Sequence, residues 1–252
     1  MLPNEPYFVF NIDMLFINDT IDLDALNFIN KNSPYSCFFF TNNCDVSHNH
    51  FYIKLINNNF LCNYKNIISP TYVLINYLKK VYGNFSAFVI SNSNDLQDFK
   101  ELNVPLSSKN PDFIFLNTTK ISSKDLAFLQ NTKSIITFSH KLCNDGTLRC
   151  DFCKDKCIIE YFKKRFSDRL VIPDKNIISS SYNIFNQLHI DTRQLVLVTN
   201  DLYEEYSTFQ KYGGNLILIL NKGISFNDYI NSSITPDIVV NDFKTLSNFL
   251  KK

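Results

Sequence analysis

The feature that most constrains this 252-residue chain is an alternation that recurs along its length. Short runs of β-branched and aromatic residues are separated by stretches whose apolar residues fall three or four apart. The runs occupy residues 7–10, 37–41, 87–90, 113–116, 135–138, 195–199, 216–220 and 238–240. Continuous apolar runs this short suit strands buried on both faces, as in parallel sheets. Helical spacing covers 23–29, 50–56, 72–78, 96–102, 126–129, 157–166, 182–188, 203–212 and 243–250. The chain is therefore expected to be α/β, built from βαβ units. It carries no Pro/Gly/Ser-rich linker and no repeat of 20–50 residues, so a second domain would be inserted into the first, not appended.

Composition narrows the function classes. With 45% hydrophobic and 19% charged residues, the chain has the balance of a folded protein, not a disordered one. A net charge of +1, from 25 basic and 24 acidic residues, gives no global attraction to nucleic acid or an anionic membrane. The apolar run at 216–220 is far shorter than the roughly 18 residues of a spanning helix. The opening MLPNEPYFVF has no basic start, long apolar stretch and cleavage site, so a cytoplasmic protein is expected.

In open α/β sheets ligands sit beyond the carboxyl ends of the strands, and here polar residues gather there. Asn11-Ile12-Asp13 follows the first run, Thr41-Asn42-Asn43 the second, and Thr199-Asn200-Asp201 the run at 195–199. The segments FVFNIDMLFIN, FFFTNN, IISPTYVLINYLKK, SAFVISNSNDLQDFKELNV, PDFIFLNTTK, SIITFSHKLCNDGTLRC, LVIPDKNIISSSYNIF and LVLVTNDLYEEYSTFQKYGG follow one another in order. Together they resemble the haloacid dehalogenase-like (HAD) superfamily, in its p-nitrophenylphosphatase, phosphoglycolate phosphatase and NagD-like branch. The resemblance covers nearly the whole chain. It implies a Rossmannoid parallel-sheet core with an inserted α/β cap of C2 type: core at 1–68 plus 166–252, cap at 69–165.

The resemblance also implies a chemistry: one Asp attacks phosphorus, a second Asp two residues on acts as general acid/base, and a Lys and Mg²⁺ neutralise charge. Carried onto this sequence, the nucleophile position is Asn11 and the acid/base position is Asp13. The glycine after it is Met14, the Lys position is Ile172, the first metal-binding Asp is Asn200 and the second acidic position is Glu205. Thr41 and Asn42 occupy the phosphate-holding motif, although both are also common turn formers. A register shift would instead make Asp13 the nucleophile or Lys175 the lysine. Mg²⁺ takes oxygen ligands with one or two carboxylates and phosphate, so Asn11 and Asn200 predict weak metal binding unless Asp201, Glu204 or Glu205 contributes.

Cys143, Cys150, Cys153 and Cys157 form a C-x6-C-x2-C-x3-C cluster, three residues after His140. Such spacing could close a structural Zn²⁺ site; the alternative is free thiols, because Cys is often buried. Cys37, Cys44 and Cys62 read as core or loop thiols. Between Arg149 and Arg169 stand seven basic residues and four acidic ones, a local excess of three positive charges that could meet RNA phosphates or simply be a solvated helix face. The expectation is a catalytically inactive pseudo-phosphatase serving as a binding or regulatory factor on a protein or ribonucleoprotein assembly. Its alternatives are a residual Mg²⁺-dependent phosphatase using Asp13 and a zinc-containing RNA-associated factor.

Overall fold

The computed structural model describes residues 3–17, 20–32, 36–41, 43–44, 46–91, 93, 95–118, 121–139, 158–172, 185, 188–202, 209, 213–220 and 223–250. The chain divides into two compact units, one of residues 1–41, 49–68 and 181–252, the other of residues 42–48 and 69–180. Among the described residues no helix is long and apolar enough to cross a membrane.

The first unit is built on a six-stranded sheet. In chain order its strands are β1 (Tyr7–Asn11), β4 (Cys37–Phe40), β5 (Ile67–Ile68), β10 (Leu195–Thr199), β11 (Asn215–Ile219) and β12 (Ile238–Val240). They lie in the order β12-β11-β10-β1-β4-β5, and every pairing is parallel. Immediately after β1 come a 3-10 turn (Ile12–Leu15) and a small antiparallel hairpin of β2 (Phe16–Ile17) and β3 (Thr20–Ile21). Phe10 on β1 packs near Phe28 of helix α1 (Leu23–Asn32), Phe39 of β4 and Phe243, all within 6.2 Å between ring centres. Tilted and edge-on aromatic pairs of this kind add to the stabilisation from burial alone.

The second unit repeats the logic with four parallel strands in chain order, β6 (Ala87–Ser91), β7 (Phe113–Asn117), β8 (Ile135–Phe138) and β9 (Leu170–Val171). The period of two along β7 splits its side chains between layers. Phe113 and Phe115 join Leu74, Leu78 and Phe99 from helices α3 (Pro70–Tyr82) and α4 (Gln97–Glu101). Ile114 and Leu116 join Leu129 of α5 (Ser123–Asn131) and Phe162 of α6 (Ile158–Arg165). Pro70 opens α3 at a position where its missing N–H costs nothing, and Gly83, at φ 79°, closes it.

Two segments fall elsewhere than the core at 1–68 plus 166–252 and the cap at 69–165 would place them. Residues 42–48 belong to the second unit, and so do residues 166–180. The second case follows from pairing: Leu170 and Val171 lie beside Ile136 and Thr137 of β8, and Phe166 packs into the same core as Phe138. The hairpin β2–β3 and the two-residue strands β5 and β9 have no counterpart among the expected runs. The expected helices at 182–188 and 203–212 lie almost wholly outside the described residues.

Candidate active-site edge

In the six-stranded sheet, β1 has β4 on one side and β10 on the other, so the chain winds outward in both directions from this strand. That reversal is where open parallel sheets place their ligands, beyond the carboxyl ends. Register aligns the ends: Phe10 lies opposite Val198 of β10, and Asn11 lies opposite Phe40 of β4. Asn11, Thr41, Asn200 and Asp201 therefore meet at the ends of three adjacent strands.

Asn11 is half-buried, and its side-chain oxygen accepts the backbone N–H of Asp13 at 2.9 Å, capping the turn Ile12–Leu15. Ile12, Met14 and Leu15 of that turn are all buried. The Met14 side chain thus fills core space at the position the resemblance assigns to a glycine. Asp13 is exposed at its edge, yet desolvation by its surroundings lifts its carboxyl above the ordinary value, with the Lys54 charge pulling it back. Lys54, on helix α2 (His48–Asn57), lies with its ammonium 4.2 Å from the centre of the Phe16 ring.

Thr41 is fully buried and its N–H donates to the Ile68 carbonyl at 3.2 Å, so its backbone extends the β4–β5 pairing. Thr199 is also fully buried; its hydroxyl accepts the Asp201 N–H at 2.9 Å and shapes the turn that presents Asn200 and Asp201. Ile172 belongs to the second unit. It follows β9 and packs in the second unit against the core that holds Ile114, Leu116 and Phe162, which suits a hydrocarbon. Asn42 and Glu205 lie outside the described residues, as do Cys143, Cys150, Cys153, Cys157, His140 and Lys175.

Magnesium requires hard oxygen donors, usually with one or two ionised carboxylates. At the ends of β10, β1 and β4, Asn11 and Asn200 offer only neutral amide oxygens, and the Asn11 oxygen is already taken up by the Asp13 N–H. Desolvation raises the Asp13 carboxyl, with the Lys54 charge opposing. Asp201 is the one further carboxylate there among the described residues. Glu204 and Glu205, the other carboxylates that could contribute, lie outside the described residues. Among the described residues no cluster of three or more His, Cys, Asp or Glu side chains could hold a metal ion.

The remaining candidates have local explanations. Cys37, Cys44 and Cys62 are buried free thiols, and burial pushes Cys37 up to about 12 and Cys62 up to about 11, away from thiolate reactivity. Arg169 is turned inward, donating to the Ser134 carbonyl at 3.0 Å and to the Leu129 carbonyl, with its guanidinium 4.8 Å from the centre of the Phe166 ring. It is a structural residue of the second unit, whereas Lys163 and Lys164 stand on an exposed face of α6. Arg149, Lys154 and Lys156 lie outside the described residues.

One contributor was missed in the sequence. Lys54 is a lone cation on the polar side of a helix, and nothing in its spacing links it to Asp13.

No family model and no curated protein matches the sequence. Solved structures do match. The 4-nitrophenylphosphatase from Thermotoga maritima superposes with a TM-score of 0.79 at 16% identity, covering 97% of each chain. The p-nitrophenyl phosphatase from Archaeoglobus fulgidus gives 0.77 at 13% identity, over 98% of this chain and 100% of its own. A single-mutant thermostable NPPase from Geobacillus stearothermophilus gives 0.69 at 12% identity, over 95% of this chain and 97% of its own. Identities this low speak for architecture alone. The chain has the haloacid dehalogenase-like fold of the p-nitrophenylphosphatases, a Rossmann-like core with a cap, over nearly its whole length.

Proposed function

We propose that this chain is a phosphatase-fold protein that no longer transfers phosphate and serves as a binding or regulatory factor on a protein or ribonucleoprotein surface. One observation carries the reading. At the end of β1, where acyl-phosphate chemistry would need a carboxylate, Asn11 presents a carboxamide whose oxygen is engaged by the Asp13 N–H. The neutral amides of Asn11 and Asn200 support it. Asp13 lies two residues beyond that position, in the 3-10 turn that Asn11 caps.

Lys163 and Lys164, exposed on α6, support a phosphate-bearing or acidic partner. In this reading Cys143, Cys150, Cys153 and Cys157 hold a structural Zn²⁺ beside that helix, which metal analysis of protein purified without chelator would detect.

The decisive experiment is hydrolysis of a generic aryl phosphate with Mg²⁺, combined with trapping of a covalent phospho-adduct. Turnover should lie on the order of a million-fold below that of a working aspartyl-phosphate enzyme, with no adduct. Ordinary turnover that disappears in Asp13→Ala would end this reading and establish the residual phosphatase.

A further inference from the structure

The chain passes between its two units after residues 41, 48, 68 and 180. Two of these passages converge on one acid. Asp98 of α4 is 2% exposed, and its Oδ1 accepts the backbone N–H of His48 at 2.8 Å. Beside it, Asp95 Oδ2 accepts the N–H of Ser47, also at 2.8 Å. The Ser69 hydroxyl, fully buried where the chain enters α3, lies near enough to Asp98 to act on its titration. Neither Ser69 Oγ nor Asp98 Oδ2 has a hydrogen-bond partner among the described residues, so a proton on Asp98 directed at Ser69 would satisfy both oxygens.

We propose that Asp98 is a protonation-controlled clasp on these two passages, staying closed on them when neutral and releasing them more readily when ionised. Keeping the charge buried costs more than its hydrogen bonds to them return. The groups around it favour the neutral form. Burial pushes its carboxyl up to about 7, with the Glu101 and Asp95 charges adding to the rise and the His48 N–H and the Ser69 hydroxyl opposing it. Tyr72 faces the same site from α3, its ring 4.3 Å from that of His48 between centres, and the charges of Asp98 and Glu101 help raise its phenol.

The sign follows from linkage. A carboxyl raised in the closed form favours closure most below the ordinary value near 3.8. That advantage declines as pH rises toward about 7 and then levels off. Ionisation therefore loosens the segment that follows Thr41. This inference does not depend on whether the sheet edge is catalytically silent.

Hydrogen exchange of the Ser47 and His48 amides in the full-length protein, corrected for intrinsic rates, tests it between pH 4.5 and 8. Protection should fall by about tenfold or more across that range. Asp98→Asn keeps an acceptor for His48 and a donor for Ser69 without a charge, so its protection should stay high and flat. His48→Gln keeps the backbone amide and removes the imidazole, so its pH dependence should match that of the unaltered protein. Flat protection in the unaltered protein, or pH dependence lost in His48→Gln, would overturn the proposal. A carbon chemical-shift titration placing the Asp98 midpoint near 4 would overturn it as well.

Discussion

The end of β1 and the start of α2 both place polar side chains against backbone N–H groups, but they use different chemistry. At the first, the acceptor for the Asp13 N–H is the neutral amide of Asn11. At the second, the acceptors for the Ser47 and His48 N–H groups are the carboxyls of Asp95 and Asp98. At the nucleophile position of the sheet edge stands a neutral amide, whereas the passage into α2 is held by two carboxyls, of which Asp98 is buried. Here carboxyls organise backbone, and at Asn11 an amide stands where the resemblance calls for the attacking carboxylate.

The strongest way to break that contrast is Asn11→Asp. Restoring the carboxyl should leave aryl phosphate hydrolysis on the order of a million-fold below a working enzyme, because a catalytic unit that has lost several members does not recover with one. Recovery of ordinary turnover would mean that the edge is only one atom from activity. Next in size are the scaffolds beneath the two regions. Phe10→Ala and Phe115→Ala, each removing a fully buried ring, should each cost about 3–5 kcal/mol in denaturant unfolding. A far smaller cost in one would show that the compared regions rest on unequally packed cores.

Smaller effects sharpen the comparison. Asn11→Ala removes the cap on the Ile12–Leu15 turn and should destabilise by about 0.5–2 kcal/mol. A neutral result would deny Asn11 its structural role. Lys54→Met removes the cation that opposes the desolvation of Asp13, so the Asp13 midpoint should move further up in a carbon-shift titration. The accompanying stability change should stay within about 0.5 kcal/mol.

Legibility in the sequence follows the range of the forces involved. The run at 238–240 coincides with β12, and the run at 7–10 falls one residue short of β1, whose middle residues are buried on both faces and apolar throughout. The two-residue strands β5 and β9 are too short to carry a period, and pairing with distant partners alone creates them. The same limit hides the setting of Ile172, whose surroundings are set by β9 and the core of the second unit. Asn11 and Asp13 were readable as residues, but the bond between them was not, since it depends on how the chain turns after β1. Asp98 sits in a polar stretch, QDFKE, and only tertiary contact with residues 47–48 reveals it as buried.

The pairing of β1 with β10 has a consequence for the order of assembly. Tyr7 lies opposite Leu195, so β1 emerges from a ribosome long before that neighbour has been translated. Until then one flank of the central strand has no native occupant, while β6, β7, β8 and β9 already have all their partners. The inserted unit can finish while its host is still a fragment. A nascent chain with its first 185 residues clear of the ribosome would therefore expose the unpaired edge of β1 to chaperones.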